Sequence, residues 1–360
     1  MPACGEGCIP GGYDDGHAPF TNNKILRTRH LLDDVLNQVC QDPPAANKKL
    51  KSTIGGRILC MDGGGIRGLV LIQMLEILES ILGGPVIQYF DCISGTSTGG
   101  IVSLALCTGN SDQECKQFVF PVKRQVFCGS KPYDSEILES FLKTEFGDRT
   151  MADIIGPKVI VTAVKGVTIP ADLHIFHNYI SAEDLLSFTE ETKGKNAAEQ
   201  MVWQAARASS AAPVYFRPHD SFLDGALIAN NPTLDTLTEI TEYNTALNQV
   251  GVGGCIPPTL VVSLGTGRKP IKTGCGSCKI LVYNTMGCEF FRLSPSFEND
   301  IPLDEIDNTK LIHMLWETKA FLKKHIKVIR KNGHSPQAEP IKLIADCNAI
   351  LAGPSEASEQ

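Results

Sequence analysis

Long apolar runs are missing from this 360-residue chain. The richest, Leu69 to Leu82, is interrupted by Gln73, Glu76 and Glu79. A spanning helix needs about 20 largely apolar residues, so no segment is expected to cross a bilayer. The opening is also poor in apolar residues: Met1 to Gly12 is rich in Gly and Pro and lacks the apolar core of a secretory signal. Positive charge is in deficit, with 33 Lys and Arg against 40 Asp and Glu, net −7. That balance argues against a nucleic-acid partner held by bulk charge. No repeat with a period of roughly 20–50 residues is visible, which excludes a solenoid. No Asp/Asn-rich loop has EF-hand spacing, so calcium is expected to be dispensable. Cys4-Gly-Glu-Gly-Cys8 and Cys275-Gly-Ser-Cys278 stand in no ligand array, and neither a metal nor another cofactor is expected. The 13 cysteines are an odd count, and Cys60, Cys92 and Cys107 lie inside apolar runs. Buried thiols in a reducing cytosol fit this better than a disulfide framework. The expected location is cytoplasmic, with any membrane contact peripheral.

What is present is ample for one large α/β domain with extensions: 42% of residues are hydrophobic and 20% charged. The most informative stretch is Phe90-Asp-Cys-Ile-Ser-Gly-Thr-Ser-Thr-Gly-Gly-Ile-Val102. It reads as strand, sharp turn, helix. Gly95 and Gly99 let strand and helix pack closely, with Thr96 and Thr98 flanking Ser97 at the apex of a Gly-x-Ser-x-Gly nucleophile elbow. The adjoining helix N-terminus favours a developing anion.

A second strand–glycine loop–helix unit precedes it: Arg57 to Met61, then Asp62-Gly-Gly-Gly-Ile-Arg-Gly68, then an apolar helix. Gly63-x-Gly65-x-x-Gly68 matches the dinucleotide fingerprint, and the same amides would serve as an oxyanion hole. No strand ends in an acid at the ribose distance, because Asp91 belongs to the serine turn. The oxyanion reading, over Gly63, Gly64, Gly65, Ile66, Arg67 and Gly68, is therefore preferred.

Further on, helices are expected at Ser111–Phe127, Ser135–Phe146 and Ala197–Ser210, and strands at Lys158–Val164, His174–Tyr179, Val214–Phe216 and Pro258–Leu264. Phe222-Leu-Asp-Gly-Ala226 places Asp224 at the end of an apolar stretch, before the tight-turn pair Gly225 and Ala226. A catalytic acid of an α/β fold sits in such a place, and so does a plain Asp-Gly turn. Asn23 to Cys40 has the spacing of an amphipathic helix, and a basic Lys48–Lys51 linker follows. Leu311 to Ile329 reads as another amphipathic helix, with Trp316 and Phe321, and Lys323, Lys324, Lys327, Arg330 and Lys331 cluster at its end. Such a helix suits an anionic lipid surface or calmodulin.

Three motifs in order (Asp-Gly-Gly-Gly-Ile-Arg-Gly at 62–68, Gly-Thr-Ser-Thr-Gly at 95–99, Asp-Gly-Ala at 224–226) resemble the patatin-like phospholipases. Phe127 to Tyr133, Ala211 to Pro218, Ala229 to Leu234 and Val261 to Gly267 look like the catalytic domain of the group VI calcium-independent phospholipases A2. The likeness runs from about Leu59 to about Leu322. It implies a three-layer α/β/α fold with a central, mostly parallel sheet. It also implies a Ser97–Asp224 dyad that hydrolyses fatty acyl esters of glycerophospholipids at a membrane surface. The family's animal enzymes carry ankyrin repeats before this domain, and 61 residues precede the glycine loop here, too few for three repeats of about 33. The expected organisation is an N-terminal extension and linker over 1–56, the catalytic domain over 57–240, its continuation with the basic helix over 241–335, and a tail over 336–360. The rivals are a Ser–His–Asp esterase using His313, His325 or His334, a non-catalytic lipid-binding scaffold, and a dinucleotide enzyme.

Overall fold

A computed structural model describes residues 56–325 except 83, 111–114, 116–122, 188–196, 198, 252–254 and 269–287. The helix at 23–40, the Lys48–Lys51 linker, both cysteine pairs, Lys327, Arg330, Lys331, His334 and the tail 336–360 lie outside the described residues.

Seven strands form one sheet: β1 (Gly56–Met61), β2 (Cys92–Thr96), β3 (Lys158–Lys165), β4 (Asp172–His177), β5 (Phe222–Asp224), β6 (Pro258–Leu264) and β7 (Glu289–Leu293). The order is β4-β3-β2-β1-β6-β7, with β5 paired to β3 off this path. Every pairing from β3 across to β7 is parallel, while β4 and β5 run antiparallel to β3. The central strand β1 is covered on both faces, so after Arg57 it is a continuous apolar run with no polar alternation, and Ile58, Leu59, Cys60 and Met61 are fully buried.

The alternating side chains of β1 divide the core in two. Leu59 and Met61 join Val159, Val161 and Val262 against α1 (Gly68–Leu82), α2 (Thr98–Cys107), α3 (Ser135–Phe146), α5 (Val202–Ser209) and α8 (Asn308–His325). Ile58 and Cys60 join Ile160 and Val261 against Leu237, Ile240 and Leu247 of α7 (Thr233–Gln249). Two short helices, α4 (Ala182–Ser187) and α6 (Ala226–Ala229), are also present. This is the three-layer α/β/α arrangement with a mostly parallel sheet that the motifs imply. No helix among the described residues is long and apolar enough to cross a membrane.

One expectation needs correcting, and one strand adds to those expected. Val214–Phe216 is a turn, not a strand: the amides of Tyr215 and Phe216 both donate to the Ala212 carbonyl, folding the chain around Pro213. Its apolar residues signal burial of Phe216 in an aromatic cluster with Phe127 and Tyr133, which periodicity alone cannot tell from a strand. Strand β7, which extends the sheet beyond β6, was not anticipated.

Candidate active site

The register of the sheet explains how two residues 127 positions apart meet. Along one edge of β3, Lys158–Thr162 pairs with β2, whose last partner is Thr96 opposite Thr162. The next residue of β3, Ala163, pairs with Asp224, the last residue of β5, which arrives from the opposite direction. Strands β2 and β5 therefore meet nearly end to end on one splint. Ser97 leaves the first strand where Asp224 leaves the second. Ser97 Oγ donates a 2.7 Å hydrogen bond to Asp224 Oδ2.

Ser97 has φ 53° and ψ −124°, a left-handed conformation that costs an ordinary residue on the order of 1–3 kcal/mol. Close packing of the turn holds it there. A Cβ on Gly95 would overlap the Gly99 carbonyl, and one on Gly99 would overlap Met61 O and lie 2.6 Å from Asp62 O. Thr96, on the near side of the elbow, donates its hydroxyl to Ala229 O at 2.6 Å. Gly99→Ala is accordingly expected to lose at least roughly 1–3 kcal/mol of stability, read as a lower denaturant midpoint, because rigid backbone is what the new methyl meets. An unchanged midpoint would show that the turn has slack.

Asp224 is 2% exposed. Its other oxygen, Oδ1, accepts the Ala226 amide at 2.7 Å. Burial pushes its pKa up to about 6, against the opposing pull of the Ser97 and Ala226 hydrogen bonds. Gly225 follows because a Cβ there would lie 2.5 Å from Thr162 Oγ1.

The glycine loop is anchored from both sides. Asp62, buried at its start, receives Arg292 of β7 in a two-pronged ion pair, Nη1 to Oδ1 at 2.7 Å and Nη2 to Oδ2; Nη1 also donates to Ser263 Oγ at 2.7 Å. Thr98 Oγ1 donates to Gly65 O and Thr266 Oγ1 to Gly63 O, both at 2.9 Å. The expected set of oxyanion donors is narrowed by these internal bonds. The amides of Gly63, Ile66 and Arg67 donate to Asn230 O, Leu303 O and Gly64 O, and that of Gly68 turns back to Gly65 O. The amides of Gly64 and Gly65 have no partner among the described residues.

Ser97, Asp224, Gly64 and Gly65 line one cavity of about 450 Å³. Its walls are largely apolar, with Ile66, Ile101, Phe127, Leu138, Phe141 and Leu227 contributing. Two cations reach it. Lys123 is 3% exposed, donates to Asn308 Oδ1 at 2.5 Å, and is pushed down to about 8 by burial. Arg67 lines the wall with its Nε buried and unpaired among the described residues, and burial lowers its pKa too. No histidine among the described residues lines the cavity. His313 is half exposed and pairs with Glu317 at 3.3 Å; the side chain of His325 lies outside the described residues.

The sequence profile described as patatin-like phospholipase matches residues 59–237, a span that begins in β1 and takes in both glycine turns and Asp224. The chain belongs to the patatin-like phospholipase family. Within it, the chain is 38% identical over 322 residues to the 85/88 kDa calcium-independent phospholipase A2 of Mus musculus, covering 76% of this chain and 40% of that protein. It is 31% identical over 358 residues to the intracellular phospholipase A2 of Caenorhabditis elegans, covering 87% and 32%. Against the calcium-independent phospholipase A2-gamma of Homo sapiens it is 28% identical over 355 residues, covering 85% and 43%. The chain thus spans well under half the length of these relatives.

Two anchors of the patatin-like site escaped the sequence reading. Arg292 carries a visible signal, a lone cation inside the apolar Phe290-Phe-Arg-Leu293, and a charge in a buried strand needs a buried partner. Ser209, whose Oγ accepts the amide hydrogen of Ser97 at 2.7 Å, carries none, because a serine closing an alanine-rich helix reads as ordinary.

Proposed function

We propose that this chain is a lipid acyl hydrolase that cleaves fatty acyl esters of glycerophospholipids through an acyl-enzyme on Ser97. The observation that carries this reading is the buried 2.7 Å Ser97–Asp224 hydrogen bond opening on an apolar cavity. Asp224 accepts the proton as Ser97 Oγ attacks the acyl carbonyl, and returns it to the departing glycerol oxygen. In the second step Asp224 takes a proton from water, whose oxygen attacks the acyl carbon. Collapse of that intermediate frees the fatty acid and returns the proton to Ser97. The amides of Gly64 and Gly65 are the donors left for the tetrahedral oxyanion. Family membership and the intracellular and calcium-independent phospholipase A2 names of the relatives support the substrate class. The apolar walls suit an acyl chain, and the unpaired Arg67 Nε suits a lipid phosphate.

A carboxylate is ordinarily a weak base toward a hydroxyl. Burial is the compensation, since it raises the proton affinity of Asp224 toward the working pH. The reactive form is the carboxylate, so activity should rise through a single ionisation near pH 6 and level off above it. Fatty acid release from phospholipid–detergent micelles across about pH 3–8.5 tests this. An acid limb near 4 would mean a solvated carboxylate and would contradict the buried base.

The Ser–His–Asp alternative requires a histidine between Ser97 and Asp224. The direct hydrogen bond leaves no room for one, and the described histidines lie elsewhere.

A further inference from the structure

Ser209 is fully buried at the C-terminal end of α5 and belongs to none of the three motifs. Its Oγ accepts the amide hydrogen of Ser97 at 2.7 Å. Its carbonyl accepts the amide of Gly225 at 3.3 Å, and two residues on, the Ala211 carbonyl accepts the amide of Asp224 at 3.0 Å. One turn of chain therefore grips the nucleophile through a side chain and the acid through the backbone. The platform is itself stiff: Ser210 Oγ donates back to Ala206 O at 2.8 Å, and Ala205, Ala206 and Ala208 are fully buried.

The amide of Ser97 needs such a partner. At an elbow with φ 53° it stands outside the helical ladder, and a buried unpaired N–H is costly. Bulk water does not reach the acceptor, since Ser209 is fully buried. Alanine in place of Ser209 would remove the acceptor and leave the strained turn free to relax.

We infer that Ser209 is a positioning residue that fixes the orientation of Ser97 and holds its hydroxyl against Asp224. The inference rests on the reading of Ser97 and Asp224 as nucleophile and base. It assigns Ser209 no contact with substrate. It also accounts for the amide of Ser97 being unavailable as an oxyanion donor, which leaves that task to Gly64 and Gly65.

The test uses the full chain with Ser209→Ala, Ser209→Cys and Ser209→Thr, assayed on phospholipid micelles across pH, with thermal unfolding measured in parallel. Ser209→Ala should lower kcat by roughly 10–100-fold, each factor of ten equal to about 1.4 kcal/mol of barrier, with KM within about twofold. The acid limb should move to higher pH, because Asp224 loses part of the Ser97 hydrogen bond that opposes its burial. Cysteine is somewhat larger and is a weak acceptor, so it should share the defect. Threonine keeps the hydroxyl and should recover at least part of the rate.

An active wild type beside a folded Ser209→Ala or Ser209→Cys protein with unchanged kcat would overturn this role alone. So would a rate loss that merely follows the loss of folded protein with the acid limb unmoved. An inactive wild type, or a fully active Ser97→Ala control, would overturn the dyad itself and this role with it.

Discussion

Replacing Ser97 by alanine is expected to leave a folded protein whose phospholipid hydrolysis falls by roughly 10⁴–10⁶-fold, the scale seen when a covalent nucleophile is removed from a preorganised site. The loss is chemical: no acyl-enzyme can form without Oγ. The folded state should survive with some loss of stability. A left-handed backbone at 97 remains unfavourable for alanine, and alanine no longer hydrogen bonds to Asp224 Oδ2. Asp224 then has only the Ala226 amide to oppose its burial, and its proton affinity rises further. Uptake of a proton by the carboxylate limits that cost. Matching circular dichroism with a vanished rate is the expected pair of results. More than a trace of the wild-type rate in Ser97→Ala would assign the nucleophile elsewhere.

Asp224→Asn should cost on the order of 10²–10⁴ in kcat, the range for loss of a general base. The carboxamide is nearly isosteric, and its oxygen can keep the Ala226 amide. Its nitrogen, however, donates where Oδ2 accepted, so the hydrogen bond to Ser97 reverses and the hydroxyl proton has nowhere to go.

The same variant makes a second prediction, of opposite sign. With its folded pKa raised from 3.8 to about 6, Asp224 binds a proton more tightly in the native state than in the unfolded chain. Its contribution to stability therefore falls as pH rises from about 4 to about 6, and above that window the buried charge is a standing cost on the order of 3 kcal/mol. Asparagine carries no charge to bury. Asp224→Asn should be inactive and, at pH 7.5, at least as stable as the wild type. Thermal unfolding at pH 5 and pH 7.5 measures this: the gap between variant and wild type should widen at the higher pH. A variant less stable at pH 7.5 than at pH 5, relative to wild type, would mean that the fold favours the Asp224 carboxylate and lowers its pKa instead of raising it.

The Ser97–Asp224 pair was legible in the sequence because each member stands near a glycine whose reason is steric. Ser97 needs Gly95 and Gly99 for strand and helix to touch, and Asp224 needs Gly225 beside Thr162. Helix α3 was readable to the residue, with Ser135 and Phe146 at its ends, because Asp134 caps it and Gly147 stops it. The rest depended on long-range pairing. Nothing local to the glycine loop says that the amides of Gly63, Ile66 and Arg67 are already committed to distant carbonyls or to the loop's own turn. Those acceptors come from residues as far away as Leu303. The splint on β3, the Arg292 brace under Asp62 and the Ser209 grip on Ser97 are all contacts between segments more than 60 residues apart. The misread Val214–Phe216 stretch has the same cause, since burial of Phe216 against Tyr133 is tertiary while its apolar letters are local.

The central claim is that Ser97 is the nucleophile and that Asp224 alone activates it. An alkyl fluorophosphonate, which reacts with activated serines, tests both halves in one measurement. The protein is digested after timed exposure, and the modified peptide is identified by mass spectrometry for the wild type and Asp224→Asn. The account predicts a single adduct, on Ser97, forming at least about 100-fold more slowly in Asp224→Asn. An adduct on any other residue, or one on Ser97 that forms at the same rate without the Asp224 carboxylate, would contradict it.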